Sequence, residues 1–210
     1  TFLWIVDRIW TLRVSRIAAE LGLNIADHDA NTDIQASGGT PWGANTTFSP
    51  PGKETRIMNN RWKKNMAPML AVGHPNVKYV ATACGSYGLD FNNKIRRALT
   101  IGGPTFIHSI DPCPKGWDYD PKYSHELGML SIETGIWVQY EIIEGELTLN
   151  GPSRAIAKGI RKRKPVEDYL MRQGRFAHFT PEDIKLFQDK VDESWEKWWL
   201  PGVIPLTQMK

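Results

Sequence analysis

The residues best suited to chemistry lie in one polar loop that runs from Asp27 to Lys53. The loop is rich in Gly, Pro, Asn, Ser and Thr and shows no sustained hydrophobic period. Long irregular loops are uncommon inside compact domains and are usually functional, because their backbone donors and acceptors need partners, often in a ligand. Two carboxylates, Asp27 and Asp29, precede Asn31 and Thr32, which on their own would predict only a local side-chain-to-backbone turn. The loop is the first candidate site.

A second candidate is Cys113, which directly follows an apolar run in the sequence Asp111-Pro112-Cys113-Pro114. In parallel α/β sheets, ligands bind at the carboxyl ends of the strands, so a thiol at such an end is well placed to contact one. A single cysteine before a proline is otherwise most often a buried, small apolar side chain. The other cysteine, Cys84, is interpreted as structural.

The elements that must position these residues form a β-α-β unit. Apolar runs at 77–83 and 105–110 flank a helical pattern and predict two parallel strands. The helical pattern is made by Leu89, Ile95, Ala98 and Leu99. Extended runs at 137–143 and 146–149, joined by Glu144-Gly145, predict a hairpin at the edge of the sheet. Further helices are predicted at 12–21, 122–133 and 165–170, and from a cap at Thr180 to about Trp198.

Composition narrows the class of protein. The chain has 210 residues, 41% of them hydrophobic, and a formal net charge of only +3. No global charge therefore points to nucleic acid or to a membrane, and no apolar stretch approaches the roughly 20 residues that a bilayer requires. Two distant cysteines, with no positively charged leader, argue against a disulfide framework and favour a reducing cytoplasm.

Two further features concern partners. The basic run at 158–164 is either a solvated face or a contact for an acidic protein, and it lacks the interleaved aromatic residues of a nucleic-acid surface. Trp195, Trp198 and Trp199 lie near the end of the sequence, where a monomer is expected to have little core left, and they predict a subunit interface.

Four strings of sequence carry a family resemblance. They are NTDIQASGGTPWGANTTFSPPGK at 31–53, YVATACGSYGLDFNNKIRRAL, GPTFIHSIDPCPKGW and YLMRQGRFAHF. In this order and spacing they resemble the C-terminal part of the thiamine-diphosphate-binding β subunit of pyruvate synthase and other 2-oxoacid:ferredoxin oxidoreductases. The resemblance covers roughly Ile25 to Trp198.

The resemblance implies an α/β fold, a parallel sheet flanked by helices that binds thiamine diphosphate and is incomplete at its N-terminus. Residues 1–150 would form the C-terminal part of that domain, and 151–210 a helical extension with a subunit interface. The implied cofactors are thiamine diphosphate, Mg²⁺ and a [4Fe-4S] cluster. The family's Gly-Asp-Gly and three cluster cysteines are not found upstream, so the chain is expected to be a fragment or a short natural subunit that is inactive alone.

The resemblance also assigns site residues. Asn31 is the catalytic candidate, beside the cofactor and the substrate, where an amide can donate to developing charge. The backbone carbonyl of Ala30 is a Mg²⁺ ligand, and His28 occupies another ligand position although imidazole is a poor donor to Mg²⁺. Cys113 matches the last thiolate ligand of the cluster, whose remaining ligands lie outside this chain. The cofactor-binding residues are Asp27, Asp29, Ala30, Asn31, Thr32 and Ile34.

The implied activity is the oxidative decarboxylation of pyruvate or a related 2-oxoacid to acyl-CoA and CO₂, with electrons passed to ferredoxin. The implied partners are α, γ and δ type subunits, in the cytoplasm. Asp33 and Trp42 replace the commoner Gly and Tyr, which leaves the substrate open. The alternatives are an oxalate-type enzyme that needs no CoA and a non-catalytic assembly subunit with a decayed cofactor site.

Overall fold

The computed structural model describes residues 40–45, 57 and 62–199. The chain divides into two compact units, 1–64 and 65–210. In the described part of the first unit, the rings of Trp42 and Trp62 stack with their centroids 5.3 Å apart. The second unit contains the elements described below. The predicted helix at 12–21 and most of the loop from Asp27 to Lys53 lie outside the described residues.

The second unit alternates helices and strands along the sequence. Its four strands are β1 (Tyr79–Cys84), β2 (Thr105–Ile110), β3 (Tyr140–Ile143) and β4 (Glu146–Leu149). Its helices are α1 (Met66–Gly73), α2 (Gly88–Thr100), α3 (Pro114–Trp117), α4 (Ser124–Glu133), α5 (Gly151–Ala157), α6 (Glu167–Leu170) and α7 (Pro181–Trp198). Short 3-10 turns lie at Pro121–Tyr123 and Gly174–Phe176.

The strands form one mixed sheet in the order β2-β1-β3-β4. β1 and β2 are parallel, with Cys84 paired to Ile110 at their carboxyl ends, as the β-α-β pattern predicts. β3 runs antiparallel to β1, and β4 forms the predicted hairpin with β3 at the edge of the sheet. Glu144 and Gly145 both have positive φ, 51° and 87°, which matches the twist of a two-residue hairpin. The α/β class is confirmed, with a sheet that is mixed because this hairpin returns beside β1.

The core lies on both faces of β1, whose six residues are all buried. Helix α2 packs on β1, but not through all the apolar residues that predicted it. Leu89 and Leu99 are 78% and 81% exposed. The residue that α2 buries is Lys94, whose Nζ donates to the carbonyl oxygen of Thr82 at 2.8 Å. Lys94 is tolerated there because its ammonium also pairs with Asp90 at 2.6 Å.

The C-terminal tryptophans do not all require a partner. Trp195 is buried in the chain's own core, and the ring of Trp199 stacks on Tyr140 at 5.1 Å. The expectation that the chain has little core left for Trp195 is therefore wrong, because α7 packs this side chain against the residues that follow α4. Trp198 is 41% exposed, and its place in an interface remains a prediction.

Helices after residue 150 belong to the same compact unit as the sheet, and α5 and α6 both pack on α4. The functional division at residue 150 remains a prediction. No helix within the described ranges combines the length and apolar character needed to cross a membrane.

Candidate functional site

The candidate site lies where the parallel strands β1 and β2 end side by side. The backbone N–H of Gly85, directly after β1, donates to Oδ1 of Asp111, directly after β2, at 3.3 Å. This bond ties the two strand ends together and fixes where the chain leaves the sheet. Pro112 and Cys113 follow, so Cys113 is presented at the edge of the sheet where ligands bind in α/β proteins.

Cys113 has the exposure and hydrogen bonding of a ligand thiol. It is a free, exposed cysteine, and its Sγ accepts a hydrogen bond from the backbone N–H of Gly116 at 3.4 Å. N–H donors to cysteine sulfur are a common feature of iron–sulfur sites, where they help to set the potential. Cys113 therefore fits one thiolate position of a cluster. The buried-cysteine alternative does not apply to it.

Cys84 is a structural thiol, in agreement with the sequence interpretation. It is buried, and its Sγ donates to the carbonyl oxygen of Gly128 at 3.4 Å. Burial raises the pKa of this thiol, which disfavours the thiolate that binds iron. Among the described residues Cys113 is thus the one thiol suited to ligation, and the other cluster ligands would lie elsewhere.

A buried arginine lies beside α3, the short helix whose N-cap is Cys113. The guanidinium carbon of Arg175 lies 4.1 Å from the centroid of the Trp117 ring, at the last residue of α3. Its Nε donates to Oε1 of Gln173 at 2.8 Å, and its Nη2 donates to the hydroxyl of Tyr169 at 3.2 Å. These contacts fix the guanidinium plane against the indole.

A backbone hydrogen bond joins the segment that contains Arg175 to the segment 113–118, which begins at Cys113. The carbonyl oxygen of Asp118 accepts a 2.7 Å hydrogen bond from the N–H of Gly174. A Cβ at Gly174 would lie 2.0 Å from Oδ2 of Asp118, so only glycine allows this approach. Asp118 itself adopts a left-handed conformation with φ 56°. The two segments are clamped one residue beyond Trp117 and one residue before Arg175.

The positive charge of Arg175 is buried without a carboxylate partner among the described residues. The side chain is 5% exposed, and no carboxylate within the described part of the chain forms an ion pair with it. Burial lowers the pKa of Arg175, while Tyr169 and, more weakly, Cys113 favour the charged form. Arginine remains protonated in proteins, so a positive charge is held against Trp117 of α3.

The basic run at 158–164 is partly an internal structure. The guanidinium of Arg161 and, at 2.8 Å, the ammonium of Lys164 both pair with the buried carboxylate of Glu133. Arg163 pairs with Asp192 at 2.5 Å and lies 5.3 Å from the ring centroid of Trp195. Three of its charges thus anchor the run to α4 and α7, which weakens its interpretation as a free docking face.

The residues predicted to bind thiamine diphosphate and Mg²⁺ are not among those that the structure describes. Asp27, His28, Asp29, Ala30, Asn31, Thr32 and Ile34 all lie outside them. In the described ranges, no group of three His, Cys, Asp or Glu side chains could hold a metal ion. The structure therefore brings Cys113, Trp117 and Arg175 together, and the loop residues remain predictions.

Comparison with known proteins identifies relatives across most of the chain. It is 46% identical over 181 residues to pyruvate synthase subunit PorB of Methanothermobacter marburgensis, covering 83% of this chain and 59% of the relative. It is 45% identical over 163 residues to PorB of Methanocaldococcus jannaschii, covering 78% and 51%. Ketoisovalerate oxidoreductase subunit VorB of Pyrococcus horikoshii is 36% identical over 167 residues, covering 80% and 51%. No protein-family profile matches the sequence.

These relatives define the class. The chain is homologous to the β subunits of 2-oxoacid:ferredoxin oxidoreductases, the family that its loop and strand-end strings resemble. It spans between about half and three fifths of the length of the relatives it matches. The PorB subunits are more similar to it than the VorB subunit in this comparison.

Proposed function

We propose that the chain is part of a β subunit that oxidatively decarboxylates pyruvate or a related 2-oxoacid to acyl-CoA and CO₂ and passes the electrons to ferredoxin. The observation that carries the proposal is the 46% identity to a subunit named pyruvate synthase PorB. Because the chain spans 59% of that relative, the activity is proposed for the complete subunit with α, γ and δ type partners in the cytoplasm.

Thiamine diphosphate, bound through Mg²⁺, would supply the decarboxylation chemistry. This cofactor stabilises negative charge on the carbon that loses CO₂. Asn31 would donate its amide N–H to charge that develops next to the cofactor. Oxygen atoms suit Mg²⁺, so the backbone carbonyl of Ala30 is the preferred ligand and His28 the weaker one. Asp27, Asp29, Thr32 and Ile34 would contact the cofactor.

The electrons would leave the cofactor through a [4Fe-4S] cluster with Cys113 as one ligand. The exposed Sγ at the strand end and its N–H donor, Gly116, support this role. The remaining three thiolates would come from outside the described residues. The bond from Gly85 to Asp111 would hold the ligand in place by fixing the chain between β2 and α3.

Pyruvate is the first substrate to test. Relatives named pyruvate synthase subunit PorB are 37% to 46% identical to the chain, and relatives named ketoisovalerate oxidoreductase subunit VorB are 36% identical, so 2-oxoisovalerate is the second substrate to test. An oxalate-type enzyme would be recognised by turnover without CoA.

The test uses the natural complex that contains this chain, purified without oxygen. Pyruvate and CoA should reduce a viologen dye, and Asn31→Ala should abolish turnover while leaving the complex assembled. Asn93→Ala, on the exposed face of α2, is the matched control and should retain turnover. Calorimetry should show that the wild-type complex binds thiamine diphosphate with Mg²⁺.

One alternative is a non-catalytic assembly subunit. The observation that favours it is His28, a poor Mg²⁺ donor at a ligand position. Stable complexes without cofactor binding or turnover would establish this role and reject the enzymatic one.

A further inference from the structure

The feature that calls for an explanation is the buried charge of Arg175. Lys94 pairs with Asp90, and Arg163 pairs with Asp192. For Arg175, the structure offers uncharged partners, namely Oε1 of Gln173, the hydroxyl of Tyr169 and the ring of Trp117. A buried cation is costly unless negative charge compensates it. The compensating group is therefore expected outside the described side chains.

The position of the guanidinium indicates where that negative charge would lie. Arg175 contacts the last residue of α3, and Cys113 is the N-cap of the same four-residue helix. The thiol of Cys113 is among the groups whose negative charge favours protonated Arg175. The clamp between Asp118 and Gly174 keeps this relation fixed. An anionic group bound through Cys113 would lie at the N-terminus of the short helix whose last residue, Trp117, contacts the buried cation.

We propose that Arg175 is a positioning residue that stabilises the reduced state of an iron–sulfur cluster bound through Cys113 and thereby raises its reduction potential. The proposal rests on the proposed function, in which Cys113 is a cluster ligand. A [4Fe-4S] centre with four thiolates carries a charge of about 2− when oxidised and gains one more negative charge on reduction. The electron comes from the 2-oxoacid in turnover and from dithionite in a titration.

Arginine suits this role better than lysine. Its planar guanidinium can stack on an indole while its N–H groups remain bonded to Gln173 and Tyr169. The charge is thus held at one place and in a buried environment where screening by salt is weak. Such a fixed charge acts on a redox group without contacting it.

The test is a redox titration of the natural complex, followed by electron paramagnetic resonance. The relevant signal is the one that Cys113→Ser removes. In Arg175→Gln, iron content should be unchanged, and the ratio of reduced to oxidised cluster at a fixed potential should fall about tenfold. For one electron this corresponds to a potential lower by about 59 mV.

Two further variants complete the design. Arg172→Gln removes a half-exposed arginine three residues away, which pairs with Glu126, and should leave the potential unchanged. Gln173→Glu places a carboxylate at the atom that accepts from Arg175 and should lower the potential with the arginine still present. If Arg175→Gln does not assemble, the Gln173→Glu variant decides the question.

The outcomes separate the two proposals. A full iron content with an unchanged potential in Arg175→Gln, or in Gln173→Glu where it alone assembles, would overturn the role of Arg175. If Cys113→Ser keeps the iron content and every resonance signal of the wild type, Cys113 is no ligand, and the proposed cluster role fails instead.

Discussion

The indole Nε1 of Trp195 donates a 2.9 Å hydrogen bond to the carbonyl oxygen of Gly135, which joins α7 to the residues that follow α4. Trp195 is 1% exposed, so Trp195→Ala should lower the free energy of unfolding by about 3–5 kcal/mol through the cavity and the lost bond. Trp198→Ala, at a side chain 41% exposed, should change it by less than about 0.5 kcal/mol. Urea denaturation measures the free energy of unfolding of both variants. Equal losses of this free energy would contradict the conclusion that Trp195 lies in the core and Trp198 does not.

Glu133 should make stability depend on pH. Burial alone would raise the pKa of its carboxyl, but the hydrogen bonds and charges of Lys164 and Arg161 outweigh burial and hold this pKa below the ordinary range. A carboxyl with a lowered folded-state pKa stabilises the fold above its unfolded pKa, about 4.3. That contribution is lost as the pH falls through the lower, folded-state pKa.

Glu133→Gln is therefore expected to be less stable than the wild type at neutral pH, by about 1–3 kcal/mol. The difference should shrink as the pH falls below about 4.3. Urea denaturation at a series of pH values measures it. Glu193→Gln, which removes an exposed carboxylate paired with Lys190, is the control and should leave stability unchanged. If the loss of unfolding free energy in Glu133→Gln stays constant at acidic pH, the pKa of Glu133 is not lowered in the folded state.

Gly128 leaves no room for a side chain. A Cβ there would lie 2.0 Å from Oγ of Ser86 and 3.1 Å from Sγ of Cys84. Gly128→Ala should lower the free energy of unfolding by about 1–3 kcal/mol, despite the helix propensity of alanine. Gly88→Ala, where nothing lies within 4 Å of the added Cβ, should cause no loss.

The double variant Gly128→Ala with Ser86→Gly tests the cause of that loss. Removing the Ser86 side chain takes away the nearest obstacle and should recover much of the stability. If the change in unfolding free energy of the double variant equals the sum of the changes in the two single variants, the two residues do not interact.

The two cysteines should differ in reactivity. Cys113 is exposed, whereas Cys84 is buried and burial raises the pKa of its thiol. In protein from which iron has been removed, iodoacetamide should modify Cys113 at least roughly tenfold faster, because the thiolate is the reacting species and must be accessible. Mass spectrometry of the peptides gives both rates, and Cys113→Ser should remove the fast phase. A fast phase that remains in this variant would place the reactive thiol elsewhere.

Local signals predicted much of the fold. β2 and β4 match the predicted runs, because each is bounded by clear turn residues. The Thr180 cap is confirmed as a reciprocal capping box with Asp183. α1 was missed because its sequence, MAPMLAVG, is apolar on every side and contains a proline. α5 was missed because the run Asn150-Gly151-Pro152 is typical of a turn.

The site was only partly predictable. Cys113 could be located because it follows a strand and lies in a recognisable string. Arg175 lies in such a string too, but its importance depends on its burial and on its having no ion pair with a carboxylate of residues 62–199, which are properties of the folded chain. Trp117 gains its role only through the contact with Arg175. The candidate cofactor residues from Asp27 to Ile34 remain predictions from the sequence.

The position of β1 between two later strands has a consequence for synthesis. Tyr79 pairs with Thr105 on one side and with Ile143 on the other. A ribosome that adds about 5–20 residues per second therefore exposes the second edge of this apolar strand for several seconds before its neighbour exists. During that time the nascent chain presents an open pairing edge to other chains. Slower translation across the stretch before Tyr140 should therefore increase aggregation of the newly made protein.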